Sequence, residues 1–142
     1  MILNETLRAL SWKQPYATLM LHGKIETRTW YTKYRGLVLI CASKLPYHQE
    51  VFHEISGKEQ YKRIWENVDP DDTITGHAIA IGRLVDCRSM LIRDEDKCFV
   101  KYHPDLYCHI YEDVKPIVPI PWKGSQGWKT VDPEFIKTIK FL

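Results

Sequence analysis

The side chains best suited to chemistry in this 142-residue chain follow a glycine that ends a short helical pattern. Lys24, Glu26 and Arg28 alternate with uncharged residues, and Trp30 continues that alternation. Since successive side chains of a strand point to opposite faces, the spacing predicts two cations, a carboxylate and an indole on one face. This combination favours a planar, polar, anionic ligand such as a nucleotide. The alternative is an amphipathic edge strand whose charges lie in water.

The three charged residues offer different chemistry. Glu26 can accept hydrogen bonds from the amino edge of cytosine or guanine, or act as a general base to a water. Its alternative role is to hold its two cationic neighbours in a structural ion pair. Arg28 can clamp a phosphate through two hydrogen bonds. Lys24 lies beside a helix C-terminus and a carboxylate, so we expect it to stay protonated and to contact a phosphate or carbonyl.

Further candidate ligand-binding residues flank this segment. Lys13 belongs to a locally basic stretch, residues 13–35, whose interleaved aromatic side chains can stack on bases. Gln14 precedes the first helix and can either face a ligand there or cap the helix. Gly124 and Gln126 lie in a late loop whose glycines let backbone amides approach a phosphate, although tight turning explains those glycines as well.

Length and composition bound the class of protein. The chain is long enough for one domain with its own core, which we expect to span residues 1–142. The formal net charge is only +2, so any nucleic-acid role must come from a local patch. The first residues do not form a signal peptide, and no apolar run is long enough to span a bilayer. We therefore expect a cytoplasmic protein without a membrane partner.

The four cysteines are widely spaced and are expected to be reduced thiols. Cys98, His103, Cys108 and His109 lie close together in sequence, which raises the question of zinc. However, two adjacent residues of a strand point to opposite faces, and the spacing matches no usual zinc pattern. We therefore expect no metal and no other cofactor.

The elements that must position the candidate site are short. Alternating and continuous apolar patterns predict several strands and a few helices. The predicted strands are 7–12, 37–42, 78–87 and 106–114, and the predicted helices are 15–22, two pieces within 46–65 and a terminal one after residue 132. This combination indicates an α+β, mainly β fold, a β-barrel with short helices flanking it.

Four segments, in order, resemble the ASCH domain family, whose relatives include the PUA RNA-binding fold. They are residues 11–30, the Tyr-Arg-Gly triplet 34–36 before an apolar strand, the strand 76–82, and the Gly-x-x-Gly-aromatic loop within 122–128. The resemblance covers nearly the whole chain. It implies a small PUA-like barrel with a cleft between the first helix and the Lys-x-Glu-x-Arg segment.

The same resemblance implies RNA or a modified nucleoside as the ligand. One bacterial branch of the family hydrolyses the acetyl amide of 4-acetylcytidine with a lysine, a threonine and a glutamate, and ribonuclease activity is associated with another branch. This chain departs from the pattern, since Lys24 follows Gly23 directly and Glu26 stands where the amidohydrolase branch has threonine. The catalytic set of that branch is therefore not intact.

The sequence thus predicts a protein that binds RNA or a nucleotide through the cleft residues. The first alternative is a hydrolase of a modified nucleoside, or a ribonuclease, with Glu26 and Lys24 as catalytic residues. The second alternative is a protein-interaction module without a ligand cleft.

Overall fold

The computed structural model describes residues 4–44, 73–124 and 126–142, in which a six-stranded sheet is the main element. The sheet curls into a half-barrel, which confirms the predicted mainly β fold. Its spatial order is β2-β5-β4-β3-β1-β6. In chain order the strands are β1 (Leu7–Trp12), β2 (Glu26–Arg28), β3 (Gly36–Ala42), β4 (His77–Ser89), β5 (Tyr107–Pro121) and β6 (Lys129–Thr130).

Short helices flank the sheet. Helix α1 (Tyr16–Leu19) continues into a 3-10 turn, Met20–His22, and ends at Gly23. Helix α2 (Glu95–Cys98) follows a 3-10 turn, Ile92–Asp94, and α3 (Pro133–Ile136) lies near the C-terminus. The two helical pieces predicted within 46–65 lie outside the described residues. No helix in the described ranges is long and apolar enough to cross a membrane.

Apolar runs place β1 and β3 in the interior of the sheet, away from its edges. These two strands pair in parallel, whereas the other neighbouring strands pair antiparallel. Both faces of β3 are buried: Val38 and Ile40 join one core cluster, and Leu39 and Cys41 join the other. A continuous apolar run is what a strand covered on both faces requires.

The long strands β4 and β5 give the sheet its curl. Their pairing shifts register at three places, and such bulges increase local twist. Gly82 of β4 permits close packing there, since a Cβ at this position would lie 2.9 Å from Cγ2 of Val114. At the edge of the sheet β2 pairs with β5. The curl therefore brings β2 close to the end of β1 and to α1, where the candidate site lies.

Candidate ligand-binding site

Lys24, Glu26 and Arg28 converge on one another, as their alternation along an extended segment requires. The Lys24 Nζ lies 3.0 Å from Oε1 of Glu26, and the Arg28 Nη2 lies 3.0 Å from Oε2. The Thr27 amide also donates to Oε1, at 3.1 Å. Lys24 and Glu26 are buried, at 4% and 6% exposure, so this three-residue charge cluster is largely withdrawn from water.

Backbone contacts on both sides hold the segment that carries the cluster. Gly23 adopts a left-handed conformation with φ 87°, which turns the chain out of the helical region. The Lys24 amide then donates to the Leu19 carbonyl at 3.2 Å, and the Ile25 amide donates to the Lys97 carbonyl at 2.9 Å. The segment is therefore fixed between α1 and the α2 region before it enters β2.

The charges of the cluster keep Glu26 ionised. Burial on its own raises the pKa of a carboxyl, but here the charges of Lys24 and Arg28 and the hydrogen bonds to Oε1 outweigh burial. The pKa of Glu26 is therefore lowered from its ordinary value. Two cations face one anion, so the charge cluster has an excess positive charge.

A cavity of about 560 Å³ opens over the charge cluster. It contains six of the predicted ligand-binding residues, three of them in the charge cluster. Its described lining is Ser11, Trp12, Lys13, Tyr16, Lys24, Glu26, Thr27, Arg28, Trp30, Ser43, Val100, Gln126 and Gly127. The structure thus brings six of the eight predicted ligand-binding residues to one cavity, whereas their role in binding a ligand stays a prediction.

The two remaining candidates lie outside this lining. Gln14 caps α1: its Oε1 accepts from the Thr18 amide at 3.0 Å, and its Nε2 donates to the Ile74 carbonyl at 2.9 Å. Gly124 packs against Ser11, whose Oγ would lie 3.1 Å from a Cβ at the glycine position. For Gln14 the structure thus shows the capping role, and for Gly124 a close approach to β1.

Aromatic rings form the other wall of the cavity. The Arg28 Cζ lies 5.1 Å from the ring centroid of Trp12 and 5.9 Å from that of Trp30. The Lys24 Nζ lies 4.9 Å from the centre of the Tyr16 ring. Cations near aromatic faces are attracted by the ring quadrupole, and the attraction grows as water is excluded. The rings therefore help to hold both cations in place.

His109 supports the site, and the sequence analysis did not connect it with Glu26. It is fully buried, lies opposite Glu26 in the β2–β5 pairing, and its Nε2 donates to the Trp30 carbonyl at 2.9 Å. Its ring also packs edge-on against that of Trp30, 4.9 Å between centroids. Burial lowers the pKa of His109. A neutral imidazole therefore fixes the position of Trp30.

Comparison with known proteins identifies the fold. No family model matches the sequence. Over 100 residues, 68% of this chain, the sequence is 34% identical to activating signal cointegrator 1 of Mus musculus and equally to that of Homo sapiens. The matched region is 16% of the length of those relatives.

Two crystal structures of an ASCH protein from Zymomonas mobilis, one of them a mutant, superpose on the chain with a TM-score of 0.59. Each is 11% identical in sequence to this chain. The superposition on the mutant covers 96% of this chain and 100% of the mutant chain. The superposition on the other structure covers 94% of this chain and 96% of that chain. The chain has the ASCH-domain fold. The resemblance found in the sequence is thereby confirmed.

Proposed function

We propose that this ASCH-fold protein acts as a single cytoplasmic domain, residues 1–142, that binds RNA or a nucleotide in the cavity over the charge cluster. The observation that carries the proposal is the buried Lys24–Glu26–Arg28 cluster in the cavity wall. Its excess positive charge suits a phosphate or another anion. Lys13 adds a further cation to the lining.

The size and the aromatic lining of the cavity support a nucleotide-sized ligand. Ligand sites commonly have volumes of about 300–1,000 Å³, and this cavity falls within that range. The lining includes the rings of Trp12, Tyr16 and Trp30. Aromatic faces stack on bases of any sequence, which suits a single-stranded RNA or a free nucleotide.

The contacts of the charged groups favour binding over acid–base catalysis. Glu26 has a lowered pKa, its Oε1 accepts two hydrogen bonds and its Oε2 lies 3.0 Å from the Arg28 Nη2, so it is a weak base near neutral pH. Lys24 donates to the Ile25 carbonyl and to Glu26, both at 3.0 Å. A nucleophilic lysine would need an amine with an open lone pair, whereas the Lys24 Nζ is engaged as a donor to two oxygen atoms.

The proposal is tested by titrating the protein with a short single-stranded RNA and with mononucleotides, by calorimetry. Arg28→Ala is expected to weaken binding by about tenfold or more, because a charged hydrogen-bond donor is lost. The matched control is Arg83→Ala. Arg83 pairs with Glu5 at the surface, at 3.0 and 2.7 Å, and is absent from the described cavity lining.

Three outcomes separate the proposed function from its alternatives. Binding that is lost in Arg28→Ala and retained in Arg83→Ala supports the proposal. Release of acetate from 4-acetylcytidine that disappears in Glu26→Gln would instead identify a hydrolase. If neither RNA nor nucleotide binds and no product forms, the proposal is wrong and the interaction module is favoured.

A further inference from the structure

Hydrogen-bond donors outnumber acceptors among the charged groups of the cavity. The described lining contains three cationic side chains and one carboxylate. That carboxylate already receives two donors on Oε1, from Lys24 and the Thr27 amide, and the guanidinium of Arg28 lies against Oε2. A carboxylate has about four lone-pair sites, and those of Oε1 are taken, so a ligand amino group can use only Oε2, where it competes with the Arg28 guanidinium.

Two lining side chains also carry buried donors that have no partner among the described residues. In the part of the chain that the structure describes, the Trp12 Nε1 and the Arg28 Nε are buried without a hydrogen-bond partner. An indole N–H and a guanidinium N–H can only donate. Buried polar groups in proteins are nearly always hydrogen-bonded, so these two donors favour a ligand that brings an acceptor.

Two further buried polar atoms belong to rings that pack against Trp12 and Trp30. The Tyr111 hydroxyl is buried and unpartnered among the described residues, and its ring packs edge-on against that of Trp12 at 5.9 Å. The Trp128 Nε1 is likewise unpartnered in that part of the chain, and its ring lies 6.0 Å from that of Trp30. Among the described residues, two of these four unpartnered polar atoms thus belong to cavity-lining residues and two to rings packed against that lining; the buried Nδ1 of His109, beside Trp30, is unpartnered there as well.

We infer that the cavity selects ligands by their oxygen acceptors, and that it takes a base carrying oxo groups in preference to one carrying an amino group. The inference rests on the proposed function and specifies its ligand. An oxo oxygen accepts hydrogen bonds from the donors of the wall. An exocyclic amino group brings two donors, for which Glu26 offers only Oε2, already contacted by Arg28, so at least one of its N–H groups loses water without gaining an acceptor from Glu26.

Two matched pairs of nucleotides test the inference with the wild-type chain. Uridine and cytidine monophosphates share the sugar, the phosphate and the ring skeleton. They differ at the oxo or amino position and at the adjacent ring nitrogen, which carries a hydrogen only in uridine; inosine and adenosine monophosphates form the equivalent purine pair. In each pair that binds, the oxo member is expected to bind about tenfold more tightly. Equal affinities, or a preference for the amino member, in any pair that binds would overturn the inference and leave the proposed function intact. Absence of binding by all four nucleotides and by RNA would overturn both.

Two conservative variants test which hydrogen-bond donors of the cavity wall favour the oxo group. Trp12→Phe keeps an aromatic ring and removes the N–H, so the oxo-to-amino affinity ratio is expected to fall towards one. Arg28→Lys keeps the charge and removes the Nε donor, and it should lower the ratio in the same way. The control is Trp122→Phe, because Trp122 packs against Phe135, 5.0 Å between centroids, and is absent from the described cavity lining. A ratio unchanged in both Trp12→Phe and Arg28→Lys would contradict the inference.

Discussion

Two buried carboxylates of this fold, Glu26 and Asp94, each pair with an arginine, at 3.0 and 2.8 Å. Asp94 accepts from Nη1 and Nη2 of Arg88, at 2.8 and 2.9 Å, and from the Leu91 amide at 2.8 Å. These contacts close the turn that leads into α2. One cation balances one anion there, and neither residue belongs to the described lining of the cavity.

The Glu26 cluster differs in charge balance and in surroundings. A lysine and an arginine share its carboxylate, and all three side chains line a cavity with aromatic walls. Hydrogen bonds from Arg88 lower the pKa of Asp94, just as the pKa of Glu26 is lowered, so burial and a shifted pKa do not distinguish the two sites. What distinguishes them is the excess cation facing a space large enough for a ligand. Asp94 stabilises the fold, whereas we propose that the charge cluster binds a ligand.

The largest expected effect is on stability. Glu26→Gln leaves two cations, one of them the buried Lys24, without their carboxylate, and is expected to destabilise the fold by about 3–5 kcal/mol. Asp94→Asn leaves Arg88, whose side chain is 31% exposed and can regain water, so about 1–3 kcal/mol is expected. Urea unfolding of the two variants beside the wild type measures both values. If Asp94→Asn costs as much as Glu26→Gln, the distinction between the two clusters fails.

The pH dependence of the stability difference between wild type and Glu26→Gln tests whether Glu26 is ionised in the folded protein. The pKa of folded Glu26 lies below its ordinary value of 4.5, since cations and hydrogen bonds outweigh burial. The stability it contributes is therefore present above that ordinary pKa and is lost as the pH falls through the folded value. The gap in unfolding free energy between wild type and Glu26→Gln should be largest near about pH 7 and should shrink towards about pH 3. A gap that widens on acidification would mean that the folded protein holds Glu26 neutral.

Local pattern predicted much of the site and of the fold. The period of two along residues 24–30 was enough to place Lys24, Glu26 and Arg28 together, because alternation depends only on an extended backbone. The apolar run of β3 predicted a central strand because a strand covered on both faces is apolar at successive positions. Gly23 marked the end of the first helix, where its φ of 87° is unfavourable for a residue with a Cβ.

Long-range contacts explain what the sequence could not predict. His109 meets the Trp30 carbonyl 79 residues away, which requires the register between β2 and β5. Gln14 had two possible roles, and its contact with the Ile74 carbonyl, 60 residues away, determines the capping role. The alternation of β5 was visible in the sequence, but its partner strand was not. Register between distant strands is fixed by tertiary packing, for which these residues carry no local signal.

The smallest expected effect is on nucleotide affinity, when one of two half-buried tryptophans is replaced by Phe. Trp30 lines the cavity, and Trp122 packs against Phe135 elsewhere. Replacing Trp30 by Phe keeps a ring that can stack but reduces its area, so nucleotide affinity should fall by roughly two- to fivefold, less than the full loss of a stacking ring. Trp122→Phe should leave affinity unchanged. Calorimetric titration of both variants, with circular dichroism to confirm folding, measures the difference.

Because His109 holds the Trp30 backbone through the carbonyl oxygen, the Phe variant retains that hydrogen bond, and any loss of affinity reports the ring alone. Equal losses in the two variants would place the aromatic contribution outside the cavity and would remove the base-stacking part of the proposal.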